Sequence, residues 1–263
     1  AHMVWAAGGL FFEMGALDFA GGTVVHINAG VSALVAALIL GKRIGYPIER
    51  IVPHSLTLTG VGTGLLWVGW FGFNAGSALA ANGSAGLAMI NTFVATAAAA
   101  LAWMLVERVN GHKGSALGFC SGIVAGLVAV TPAAGNSGPF GAIVLGAVAS
   151  VVCFYAVTVL KPRLGYDDSL DAFGIHGIGG MIGALGNAIV YAPVLGGPGK
   201  PDYAIGGQLG TQAAAVLTTI VWASIGTVIA IYVARALTGL RVRPEVEREG
   251  LDLGEHGERA YDH

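Results

Sequence analysis

FAGGTVVHINAGVSALVAALILG, residues 19–41, contains no Asp, Glu, Lys or Arg, yet His26 sits within it. A helix needs about 20 apolar residues to cross a bilayer, so this stretch is long enough to span. A second uncharged stretch, residues 172–199, carries His176. Each histidine follows an aspartate by eight residues, Asp18 in one case and Asp168 in the other. An ionisable side chain in hydrocarbon is costly and faces a protein interior or a pore. Histidine can also donate, accept or shuttle a proton near neutral pH.

The rest of the chain has the same character. Of 263 residues, 55% are hydrophobic and 11% charged, and the mean hydropathy is +0.73. A soluble domain carries about 25% charged residues, so this chain belongs in lipid. Three more uncharged runs cover residues 51–106, 114–160 and 203–234. The first two are long enough to fold back, at Asn82-Gly83-Ser84 and between Thr131-Pro132 and Gly138-Pro139. The expected fold is an all-α polytopic membrane bundle of seven transmembrane helices. Their expected extents are 18–40, 54–74, 86–107, 114–131, 138–160, 168–192 and 208–237, the last long enough to tilt or protrude.

Lys42, Arg43 and Arg50 lie in connection 41–50, Arg108 and Lys113 in 107–113, and Lys161 and Arg163 in 161–170. Arg241, Arg243, Arg248 and Arg259 follow the last span after Arg235. All four basic segments fall on one side of a seven-span chain, which places the N-terminus outside and the C-terminus in the cytoplasm. A net charge of −2 without a basic tract argues against a nucleic-acid partner. Cys120 and Cys153 both fall inside spans and read as small buried apolar residues. The chain opens Ala1-His2-Met3-Val4-Trp5, with no initiator Met and no recognisable signal peptide.

The first and sixth spans run in opposite directions. If each aspartate marks a helix start, each histidine lies about 12 Å in from an opposite face. In a core of about 30 Å this leaves about 6 Å of depth between them. The matched Asp-x7-His spacing resembles an inverted structural repeat, with a site at the repeat interface. A lone histidine of this kind is usually a satisfied core residue; two at related positions favour function. No third ligand stands at metal spacing near either one. Gly21, Gly22 and Gly30 flank His26, and Gly174, Gly177, Gly179, Gly180, Gly183 and Gly186 line the sixth span. Such small residues allow close helix approach. A third feature is Trp67-Val-Gly-Trp70-Phe71-Gly-Phe73-Asn74-Ala-Gly-Ser77 at the outer end of the second span. Aromatic rings there are interfacial anchors in most cases, but with the Ser77 hydroxyl and Trp5 they also suit a small cation.

Four segments together resemble the ammonium transporter (Amt/Mep/Rh) family, on its Amt branch. They are Leu17 through Asn28, Trp70 through Ser77, Asp171 through Gly177, and the tail from Leu240 past Asp252 to His256-Gly-Glu. The resemblance implies an ammonium/ammonia transporter, not an enzyme, in the plasma membrane, with eleven spans built as an inverted repeat. It implies a homotrimer, needing no cofactor, with one narrow pore per subunit. His26 and His176 match the family's twin histidines, Phe73 the gate above them, Ser77 the vestibule hydroxyl and Trp5 the vestibule tryptophan, and Trp70 is expected on the same substrate pathway. Asp18 matches an aspartate that orders the backbone, and Asp168 holds the equivalent place before His176. By the same resemblance the chain starts just before the fifth span, as a fragment or an incomplete sequence. Residues 1–237 are expected to form the membrane transport domain and 238–263 a cytoplasmic tail. That tail is either a solvated, charged end or, by resemblance, an ordered segment that meets a PII-type regulatory protein. The rival readings are a bis-His haem b anchor, an ammonium sensor, which the short tail disfavours, and a non-transporting remnant.

Overall fold

The computed structural model describes residues 1–49, 51–259 and 261. Arg50, one of the basic residues used for orientation, lies outside them, as do residues 260, 262 and 263. Among the described residues, seven helices are long and apolar enough to cross a membrane: α1 (Gly22–Leu40), α2 (Leu56–Gly76), α3 (Gly83–Val109), α4 (Ala116–Ala133), α5 (Pro139–Leu164), α6 (Phe173–Val190) and α7 (Ile205–Thr238). The protein is a multi-pass membrane protein of the all-helical class, and every span expected from the sequence is present. α4 lies at the centre, with 67% of its apolar window buried, against 11% for α2 and 17% for α7.

Local chemistry sets the helix starts. Ser55 Oγ accepts from Leu58 N at 3.2 Å, Asn82 Oδ1 from Ala85 N at 3.1 Å, and Ser115 Oγ from Gly118 N at 2.9 Å. Each satisfies one amide that a helix N-terminus leaves free. α5 opens on Pro139, whose missing N–H costs nothing at that place. Small residues then let the helices close up. The space at Gly122 and Gly126 is filled by α3 at Ala99, Ala100 and Thr96, and that at Gly183 by the Ala129 backbone of α4.

α1 and α6 begin four or five residues later than the sequence suggested. Their aspartates do not stand in the first helical turn but reach into it from a preceding loop. Three residues after each aspartate the backbone turns left-handed, at Gly21 (φ 122°) and at Asp171 (φ 56°). Glycine has no Cβ to oppose that conformation, and aspartate is among the few residues that tolerate it. The helix therefore cannot run back to residue 18 or 168, and the 12 Å rise between aspartate and histidine does not apply. Both helices instead open with π-helical turns, Gly22–Ile27 and Phe173–Gly177, which contain His26 and His176. Such turns are rare and recur at functional sites.

After α7 the chain forms two short helices, Pro244–Glu249 and Leu251–His256, with Val246 buried. The described part of the tail is ordered, as the resemblance suggested and a solvated end would not be.

Candidate functional site

The two histidines meet. His26 Nδ1 and His176 Nδ1 stand 3.2 Å apart, so one ring donates to the other. What brings them together is the absence of side chains at the crossing of α1 and α6. A Cβ at Gly30 would lie 2.1 Å from Gly177 N and 2.9 Å from the His176 carbonyl carbon. A Cβ at Gly180 would lie 3.1 Å from His26 Cβ and from Ile27 N. As numbering rises on one helix the partner number falls on the other, so the helices cross antiparallel, as expected.

Aromatic rings from α2 close over the pair. Trp70 stacks on His26 with centroids 5.2 Å apart and planes 16° from parallel. Phe73 meets the His26 ring edge-on at 6.1 Å and Trp70 at 5.7 Å. Trp70 is itself fixed, because its Nε1 donates to Thr131 Oγ1 of α4 at 2.9 Å. His26 is only 3% exposed, and its Nε2 is enclosed with no hydrogen-bond partner among the described residues. A buried ring nitrogen of this kind costs free energy unless something small and polar occupies the space beside it.

Each aspartate acts on its own helix start. The Asp18 carboxylate accepts from the backbone N–H groups of Gly21 (2.9 Å), Gly22 (2.6 Å), Thr23 (2.9 Å) and Val24 (3.3 Å), and from the Thr23 hydroxyl. Asp168 accepts from Phe173 N at 2.8 Å. In both cases the shared bond runs to the amide five residues on. Trp5 lies beside this loop, its Nε1 donating to the Asp18 carbonyl at 2.7 Å. Ser77 Oγ donates to the Phe73 carbonyl at 2.9 Å. Among the described residues no hydrogen bond or ring contact joins Trp5 to Ser77, so the structure gathers the histidines, Trp70 and Phe73 into one cluster and leaves those two at its edge.

Beside the ionisable groups expected at the site stand buried amides that the sequence pattern did not single out. Asn74, Asn91, Asn187 and Gln212 all stand in uncharged runs and are 0–1% exposed. Asn74 Nδ2 donates to Thr92 Oγ1 at 2.9 Å, joining α2 to α3 next to Phe73. An amide inside an apolar run is as much a signal as a histidine, because it too must find partners.

At the far end of α1 the chain is tied by charge. Arg43 makes a two-pronged pair with Asp167, at 2.9 Å from Nε and 2.7 Å from Nη2. That hydrogen bond holds the Asp167 carboxyl below its usual range and raises Arg43. Lys161 pairs with Asp171, whose carboxyl burial pushes upward against the pull of the lysine. From the tail, Glu247 Oε1 accepts from Ile44 N at 2.9 Å while Arg241 pairs with Glu247 at 2.5 Å. A cavity of about 300 Å³, lined by Glu107, His112 and Tyr155 among others, includes none of the histidine cluster. Its carboxylate is already engaged, accepting from Ser115 N and Oγ at 2.8 Å.

A membrane-embedded bundle with two histidines in mutual contact, roofed by aromatic rings at a glycine crossing, defines a polytopic membrane protein with a polar site in its interior. Comparison with known proteins makes the class specific. The model of the Ammonium Transporter Family matches residues 1–261, and the chain belongs to that family. An "Ammonium transporter" of Aquifex aeolicus is 51% identical over 99% of this chain and 60% of its own length. One from Bacillus subtilis is 45% identical, over 99% and 64% respectively. Among solved structures, a "Sensor Amt Protein" superposes with a TM-score of 0.88 at 32% identity, covering 97% of this chain and 65% of that one. Candida albicans Mep2 gives 0.83 at 35%, covering 92% and 55%. The chain thus spans about three-fifths of the length of these relatives.

Proposed function

We propose that the chain forms the part of an ammonium-conducting pore that holds its paired histidines. The observation that carries this reading is the 3.2 Å contact between His26 Nδ1 and His176 Nδ1 in an enclosed, aromatic-roofed setting. Stripping water from NH4+ in such a setting is expensive for a charged species. Deprotonation removes the charge, and neutral ammonia can then cross while a potassium ion, with no proton to lose, stays excluded. The paired rings can pass a proton between nitrogens, and the unpartnered His26 Nε2 is an acceptor or donor for ammonia. Phe73, 38% exposed at the edge of the His26 ring, serves as a gate. Trp5, Ser77 and Trp70 offer ring faces and a hydroxyl that recruit the cation, and Asp18 and Asp168 support the two helix starts.

In this reading the protein works in the plasma membrane with its N-terminus outside and its C-terminus in the cytoplasm, as a homotrimer. Residues 1–237 make the transport domain, and the tail 238–263 faces a PII-type regulatory protein. The haem alternative fits poorly. Two nitrogens bonding one metal from opposite sides at about 2.0 Å each stand about 4 Å apart, and a porphyrin would have to lie between rings that already touch.

The test is ammonium-evoked current in proteoliposomes for the parent, His26→Ala and His176→Ala. A loss of current in both variants is expected. Equal currents in all three would remove the histidines from conduction.

A further inference from the structure

Two buried amides outside the histidine cluster converge on a single residue. Gln212 of α7 pairs with Leu17 on both of its main-chain edges: Leu17 N donates to Oε1 at 2.8 Å, and Nε2 donates to the Leu17 carbonyl at 2.8 Å. The second hydrogen of Nε2 goes to the Ala184 carbonyl of α6 at 2.7 Å. Asn187 of α6 donates to the same Leu17 carbonyl at 3.0 Å and to the Pro132 carbonyl at 2.6 Å. Pro132 in turn accepts from Phe19 N at 3.0 Å, two residues further along the same loop. Gln212 Oε1 also accepts from Gln208 Nε2 at 3.3 Å, so three of the six bonds these amides make end on Leu17, the residue before the Asp18 cap.

Amides that served only to join α6 to α7 would bond across that helix pair. Here a loop is the main recipient. Burying a carboxamide is costly unless its bonds are made, and Asn187 Oδ1 has no partner among the described residues. Pairing one side-chain amide with both the N–H and the C=O of a residue fixes that residue's position and the two peptide planes that meet at it. The next residue, Asp18, then has one place from which to cap α1, and α1 carries His26 only one turn beyond.

We propose that Gln212 and Asn187 are positioning residues: through Leu17 they set where Asp18 caps α1, and so hold His26 in register with His176. The inference rests on the histidine pair being the working part of the pore, and it concerns what keeps that pair aligned. Neither residue touches the rings. Their action is through the loop, and it differs from that of Thr227, which joins α7 to α1 directly by a bond to Ser32 Oγ at 2.8 Å.

The test is 15N-histidine NMR of the 263-residue chain in nanodiscs, with hydrogen exchange of the Gly21–Val24 amides and ammonium-evoked currents from the same preparations. The parent should show one donor and one acceptor Nδ1 signal. Gln212→Leu and Asn187→Leu should lose that signature, and the capped amides should exchange roughly tenfold faster, as for one lost buried hydrogen bond. Thr227→Val should change neither. Where Gln212→Leu fails to fold, Gln212→Glu carries the test, since it keeps the acceptor for Leu17 N and loses at least one of the two donors. Unchanged ring signals in the amide variants would overturn the proposal, whatever their melting temperatures. A parent with intact ring signals and no current would instead overturn the conduction reading and leave this one standing.

Discussion

The segments Asp18–His26 and Asp168–His176 share a register but are built by different means. In both, the aspartate takes the amide five residues on, the backbone turns left-handed after three residues, and the histidine sits in a π-helical turn. Asp18 neutralises its charge against four backbone amides and a hydroxyl, and its loop is gripped by Trp5, Gln212 and Asn187. Asp168 takes a single amide, and its loop is held by ion pairs, Lys161 with Asp171 and Arg43 with Asp167. Dipoles can surround a charge where water is absent, whereas ion pairs suit a mouth where water and salt are at hand. The first device sets dipoles against a charge, and the second sets charge against charge, which can respond to pH and ionic strength.

Removing the two aspartates is the most direct way to break this contrast. Asp18→Ala orphans every donor that it collects and should cost about 3 kcal/mol or more in reversible unfolding from mixed micelles. Asp168→Ala should cost only about 1 kcal/mol; equal costs would erase the distinction. Next comes the crossing that both halves share. Gly30→Ala places a Cβ against Gly177 N and should cost about 2 kcal/mol by overpacking. It should also lower ammonium-evoked current more than Gly180→Ala, whose Cβ meets its nearest neighbour at 3.0 Å. Trp70→Phe keeps the ring over His26 but loses the bond to Thr131, with an expected cost of about 1 kcal/mol in the same unfolding assay.

The smallest effect concerns the ionic side. The Ile44 amide and, after it, Arg241 hold the Glu247 carboxyl below its ordinary value of 4.5. A depressed acid stabilises the docked tail above its undocked value and loses that contribution as pH falls through the docked one. Exchange protection of Ile44 N should therefore persist at neutral pH and decline only below about 4.5. Protection unaltered well below that range would show that Glu247 does not hold the tail.

Much of this architecture could be read from residue types alone. Uncharged runs located seven spans to within a few residues, since no other fold tolerates them. The eight-residue interval paired the right histidines, and glycines marked where they cross. What failed was the assumption that the interval was continuous helix. A capping aspartate placed before a left-handed residue leaves no trace in hydropathy, and at position 171 that residue is not even a glycine. The grip on Leu17 was equally hidden, because Asn187 and Gln212 lie far from it in sequence and only packing unites them. The tail kept two readings until Val246 and Glu247 were seen against their partners.

α7 is one unbroken helix of 34 residues, about 51 Å at 1.5 Å per residue. Gln208 and Gln212, near its first turns, hold the loop before α1. Just past its other end, Arg241 holds Lys42 O beyond α1 at 2.8 Å. It is a beam bolted to both ends of the helix that bears His26. With no proline within it to flex, a load applied at either bolt is shared by the whole span, and the two ends of α1 keep a fixed distance as they move.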